Sequence, residues 1–184
     1  MSKAARDTYR HGNIKADAIK ATYEAVAASG HANVSLRRIA EELGVAHRAL
    51  YNHFKNKEDL LDAVATEAFN QLAAKLRRAK TPKSYLDTYM GFAFETPPLY
   101  ALMTSRPHGT MKNNPALQRA VHGVITEALR IFADPEASSQ TRRRQVMRVY
   151  ILAHGALSLY SAGILDLPGR KALIAEVAEM LEGQ

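Results

Sequence analysis

The chain has 184 residues, 47% of them hydrophobic, which is room for one or two small domains with a buried core. It contains no cysteine, so disulfides and thiolate metal sites are excluded and a reducing, cytoplasmic setting is expected. The formal net charge of +7 is unevenly spread: residues 1–57 carry ten Lys/Arg against five Asp/Glu, and residues 58–184 carry fifteen against thirteen. A positive charge concentrated in the first third is what a polyanion-binding segment needs.

Met1 to Arg10 are polar and charged, without the apolar run of a signal peptide. Beyond them the pattern predicts an all-α chain of about nine helices, at 13–29, 36–43, 46–53, 57–80, 82–94, 97–105, 115–133, 138–165 and 170–182. Thr81-Pro82, Thr96-Pro97 and Asn114-Pro115 each mark a helix start, because proline loses no hydrogen bond at the first helical position and the residue before it supplies a cap. Gly30 and Gly44 stand where helices should stop. Ser105 to Asn114, rich in Pro, Gly and Asn, is expected to be a mobile loop. The least polar stretch, Val149 to Leu165, contains His154, Ser158 and Ser161; a helix buried at a subunit interface is expected there, not a membrane span.

Between Val34 and Phe54 the sequence is VSLRRIAEELGVAHRALYNHF. Ser35 caps a short helix whose Leu36, Ile39, Ala40 and Leu43 share one face; Gly44 makes the turn and Val45 fills the corner. A second short helix sets Leu50 and Phe54 against the first, which predicts a helix-turn-helix whose second helix enters a DNA major groove. Its outward residues His47, Arg48, Tyr51, Asn52 and His53 suit that role. Arg48 has the fork for a guanine edge and Asn52 the amide for adenine, while Tyr51 offers a ring to a thymine methyl and a hydroxyl to phosphate. Asn56 is placed to cap the next helix, which puts Lys57 in its first turn as a phosphate clamp.

The stretch from Val34 to Leu61, ending YNHFKNKEDLL, closely resembles the tetracycline-repressor (TetR) family of bacterial regulators, over about residues 10–65. The resemblance implies backbone contacts by Tyr51, His53 and Lys57, and a base or phosphate contact by Arg37, with Arg38 beside it in the basic first helix of the motif. It also implies that His47, Arg48 and Asn52 occupy the positions that choose the operator; Ser or Thr is commoner than His47 there, so the operator cannot be borrowed from a relative. The entry arm Tyr9 to Ile14 resembles a subset of the family and is expected to lead into the first helix near DNA.

Two domains are expected: 1–57 for DNA binding, and 58–184 for effector binding and dimerisation. Leu61, Val64, Ala68, Leu72 and Leu76 have core spacing in a linking helix, which in the resembled family carries ligand binding to the DNA heads. Ala153-His154-Gly155 resembles a subgroup whose C-terminal domain usually has Trp-His-Gly; the tryptophan is absent here. Helix 138–165 is apolar nearly all round. One stripe (Val149, Leu152, Ala153, Ala156, Tyr160, Gly163) or the other (Tyr150, His154, Leu157, Ser161, Leu165) is expected to face a partner in a homodimer, which would bind a pseudo-palindromic operator. Met90, Phe94, Tyr100, Met103, Tyr150 and His154 are candidates to line a pocket for a small-molecule effector; Met and aromatics at such spacing also build plain core.

No HExxH, Walker loop or GxSxG motif is present, so no catalysis, cofactor or metal site is expected. The expected function is a sequence-specific regulator, in the family's usual mode a repressor released by its effector. The rival is a sequence-nonspecific architectural DNA binder, which would spread its charge over the whole surface.

Overall fold

The computed structural model describes residues 13–182, so the entry arm from Tyr9 to Gly12 lies outside the described residues. Ten helices and no strand occupy this span. They are α1 (Ile14–Ser29), α2 (Leu36–Leu43), α3 (His47–Tyr51), α4 (Lys57–Leu76), α5 (Pro82–Glu95), α6 (Pro97–Thr104), α7 (His108–Lys112), α8 (Pro115–Phe132), α9 (Ser139–Ser161) and α10 (Arg170–Glu182).

Two compact units divide these elements, residues 13–68 with 97–117 and residues 69–96 with 118–182. In the first, α1, α2 and α3 share a core of Ala18, Ala21, Leu36, Ile39, Ala40, Leu50, Phe54 and Leu60, and α6 packs against α1. In the second, α5 packs against α10 and α9, and Gly123 of α8 lies against the Ala73 methyl of α4 at close van der Waals distance. Leu61, Val64, Ala68, Leu72 and Leu76 of α4 are all buried, as their spacing predicts.

The caps explain most helix ends. Thr81 and Ser84 form a reciprocal capping box at the start of α5, and Asn114 Oδ1 accepts the Leu117 N–H at the start of α8. Thr96 differs: its hydroxyl donates back to the Phe92 carbonyl and so closes α5 instead of opening α6. Gly44, at φ 65°, ends α2 in a Schellman motif, with its N–H on the Glu41 carbonyl and that of Val45 on Ala40.

Four boundaries depart from expectation. A one-turn helix, α7, stands inside the segment expected to be loop. α3 stops at Tyr51, where Asn52 and His53 form a turn, and at its start Ala46 supplies no side-chain cap. α4 ends at Leu76, where Arg130 donates to the carbonyls of Leu76 and Ala79 and stands in for further helical turns. α9 ends at Ser161, because Gly163 (φ 70°) closes a second Schellman motif, Gly163 N–H to Tyr160 and Ile164 N–H to Leu159. Gly163 and Leu165 therefore lie beyond the helix to which the stripes assigned them. Neither stripe is continuous: Val149, Ala153 and Leu157 are buried together, and the exposed apolar side chains of α9 are Met147, Tyr150, Ile151 and Leu159. No described helix is long and apolar enough to cross a membrane.

Candidate nucleic-acid interface

Reading DNA requires a helix whose inner face is locked and whose outer face is free. The α3 segment meets both conditions. Leu50 and Phe54 are 0% and 2% exposed, and the Phe54 N–H bonds the Leu50 carbonyl at 2.9 Å, so the turn after α3 stays helical in its course. His47, Arg48, Tyr51, Asn52 and His53 are all exposed on the opposite side. The His47 and Tyr51 rings meet edge to face with centroids 5.0 Å apart, which orients both one turn apart along the helix. Among the described residues, the side chains of Arg38, Arg48, Asn52, His53 and Lys55 make no hydrogen bond or ion pair. Five polar side chains left to water beside an apolar core are available to a ligand of matching chemistry.

Arg37 is exposed and holds Glu41 at 2.9 Å, one turn along α2. An exposed i,i+4 pair is worth little, so a phosphate can displace the carboxylate. Lys57 is more constrained. Its ammonium donates to the Ala32 carbonyl at 2.7 Å, which ties the start of α4 to the α1–α2 turn. Asn56 caps α4 as expected, its Oδ1 accepting the Asp59 N–H at 2.9 Å. Asp59 returns the contact by accepting the Lys55 N–H at 3.0 Å. The junction between α3 and α4 is therefore fixed by three side chains, Asn56, Lys57 and Asp59, within three residues of one another.

Sequence reasoning missed Arg106. It sits between α6 and α7 in the first unit, and its Nη1 donates to Glu58 at 2.7 Å and Asp62 at 3.3 Å on α4. A signal was present on the other side: Asp62 stands alone among Leu60, Leu61, Ala63 and Val64, and an acid inside an apolar run needs a cation.

The six effector candidates are divided between the two units. Tyr100 and Met103 belong to α6 in the first unit, where Met103 is buried. Met90 and Phe94 belong to α5 in the second unit; Met90 is buried, and Phe94 lies edge-on to Tyr160 with the Arg170 guanidinium 4.8 Å over its ring. Tyr150 and His154 stack on each other along α9, with Tyr150 48% exposed.

Residues 18–64 match the family model described as bacterial regulatory proteins, tetR family, and residues 83–181 match the one described as tetracyclin repressor-like, C-terminal domain. The tetracycline repressor protein class C of Escherichia coli is 58% identical over 36 residues, 20% of this chain and 16% of that protein. An HTH-type transcriptional regulator of Staphylococcus aureus is 39% identical over 51 residues, 28% of each. The chain thus aligns with less than a third of the length of either relative. The fold extends further. A structure of a protein with unknown function from Rhodococcus sp. RHA1 superposes with a TM-score of 0.76 at 24% identity, covering 94% of this chain and 95% of that one. A TetR transcriptional regulator from the same organism gives a TM-score of 0.64 at 18% identity, covering 96% and 97%. With a free-faced reading helix on a locked core and a second family match spanning more than half of its length, the chain belongs to the TetR family of DNA-binding transcriptional regulators.

Proposed function

We propose that this regulator binds a pseudo-palindromic operator as a homodimer in the cytoplasm, and that it is a repressor released when a small molecule binds its C-terminal part. The observation that carries the reading is the outward face of α3, where Arg48 and Asn52 have no other partner among the described residues. In this reading Arg48, Asn52 and His47 choose bases, and Arg37, Arg38, Tyr51, His53 and Lys57 hold the backbone on both sides of the groove. Residues 1–57 supply the DNA contacts, and residues 58–184 supply the dimer and the effector site.

The dimer is supported by the exposed Met147, Tyr150, Ile151 and Leu159 of α9 with Met180 of α10, an apolar surface costly to leave in water. Effector binding is supported by the aromatic groups around Phe94, whose ring already meets a cation from Arg170 and an edge from Tyr160. The remaining candidates, Met90, Tyr100, Met103, Tyr150 and His154, are to be tested one by one.

The deciding experiment selects bound sequences from a randomised duplex pool with the full chain. Fluorescence anisotropy then compares the winner with random duplex. A pseudo-palindromic consensus bound by two chains supports the reading; no enrichment supports architectural binding instead. Metabolites that raise the melting temperature are then tested for operator release.

A further inference from the structure

Arg106 stands outside the helix-turn-helix, 58 residues after Arg48 in the chain, yet its side chain is only 8% exposed. Its Nη1 reaches Glu58 Oε2 at 2.7 Å and Asp62 Oδ1 at 3.3 Å, and its Nη2 reaches Ser105 Oγ at 3.3 Å. Glu58 and Asp62 are one helical turn apart, so a single guanidinium spans the first two turns of α4 along one face. The Asp62 side chain is 7% exposed, and its other oxygen faces the Asn114 amide at 3.5 Å. Asn114 in turn caps α8 through the Leu117 N–H. The Arg106 Nε is buried and has no partner among the described residues.

Such a group is poorly suited to simple stabilisation. A buried ion pair with an unsatisfied donor gives back much of its attraction as desolvation, and a well-packed apolar pair would serve the core as well. A planar fork does fix direction, which a lone charge or an apolar contact does not. What it fixes is the turn that contains Lys57, six residues after the end of α3. The α3–α4 link is itself pinned by Phe54 and by the Asn56–Asp59 caps, so α3 and the start of α4 tilt together.

We propose that Arg106 is a positioning residue for operator recognition: by holding Glu58 and Asp62 it sets the start of α4, and with it the angle at which α3 meets the groove. The proposal rests on the operator-binding reading above. It assigns to the 97–117 segment, which packs within the same compact unit as the helix-turn-helix, an indirect part in DNA recognition, exerted through α4.

The test uses the full chain, its selected operator, a random duplex of equal length, and circular dichroism to verify folding. Wild type is measured first; equal affinity for the two duplexes defeats the operator reading itself. Two variants follow, Arg106→Met and Glu58→Gln. The Glu58 side chain is 61% exposed, so its substitution leaves the fold intact even if Arg106→Met does not fold. Glu58→Gln also removes a negative charge beside the DNA, which by charge alone tightens both duplexes alike. Positioning predicts the reverse for selectivity: the operator-over-random ratio falls by about fivefold or more, and in a folded Arg106→Met at least as far. A ratio in Glu58→Gln that stays within about twofold of wild type, whatever the common change in affinity, overturns the proposal.

Discussion

The Lys57 ammonium donates to the carbonyl of Ala32, 25 residues earlier, at 2.7 Å. An ammonium has three donors, so one braces the α1–α2 turn and two are left for a phosphate. Lys57→Ala should weaken operator and random duplex by a similar factor and reduce the slope of log K against log salt by about one. The lost brace should cost stability by only about 0.5–1.5 kcal/mol, the scale of one hydrogen bond. Anisotropy titrations across salt concentrations, with a urea melt of each protein, check both parts. A base preference that shifts while the salt slope holds would put Lys57 in the reading set.

Arg48 and Asn52 should behave in the opposite way. Both point outward from a segment whose inner face is locked by Leu50 and Phe54, so truncation leaves the scaffold in place. Arg48→Ala or Asn52→Ala should flatten discrimination at one base position by roughly 1–3 kcal/mol, the value of a bidentate contact. Repeating the randomised selection with each variant checks this. An unchanged consensus for both would remove them from direct readout.

The difference between these residues and Arg106 explains how much of the interface was legible in the sequence. Ser35, Gly44 and the apolar spacing of Leu36, Ile39, Ala40 and Leu50 are local signals, and each appears in the structure in its expected role. The free face of α3 follows from the same period. Arg106 contacts Glu58 and Asp62 across 48 and 44 residues, and between Ser105 and Pro107 it looks like an ordinary loop charge. Local reading also fails where two signals compete. Gly163 sits inside an apolar run that suggests continuing helix, and its left-handed backbone ends α9 instead. In α7 the five residues HGTMK contain a glycine and a β-branched threonine, too little periodicity for a helix to be seen. Which face of α9 stays exposed depends on where α5 and α10 pack, and no spacing within α9 carries that.

Alkaline stability offers a test of the second unit. Tyr85 is 3% exposed on α5 and lies edge-on to Phe132 with centroids 5.1 Å apart. Burial first, and then the nearby Glu127 carboxylate, push its phenol well above the ordinary tyrosine value. The unfolded chain releases this proton near pH 10, while the native chain still retains it. The stabilising difference is therefore complete below pH 10 and is lost as pH rises from there toward the native value. In that window Tyr85 alone contributes a slope of about 1.4 kcal/mol per pH unit. Burial also raises Tyr23 and Tyr150, so Tyr85→Phe should lower the alkaline slope by one tyrosine's share without abolishing it. Urea melts between about pH 9 and 11 measure it. An equal slope in the variant would mean that Tyr85 opens to water before it titrates.

The dimer gives the sharpest test of the C-terminal part. On α9 the side chains facing its own core are Val149, Ala153 and Leu157, each at most 5% exposed. Ile151 and Met147 are 58% and 49% exposed one turn apart, with Tyr150 beside them and Met180 of α10 also open. A substitution at Ile151 therefore leaves the monomer's packing intact, whereas one at Ala153 would break it. Burial of an exposed isoleucine on each side of a two-fold axis is worth roughly 1.5–3 kcal/mol per side chain. An arginine there forfeits this twice and sets two like charges against each other, because symmetry repeats every change. Ile151→Arg should thus be a folded monomer in light scattering at micromolar concentration, under conditions where wild type is a dimer. Its operator affinity should fall steeply, since two joined heads about 34–36 Å apart engage two half-sites and one head engages only one. A wild-type monomer, or an Ile151→Arg protein that dimerises like wild type, would show that this face is not the interface.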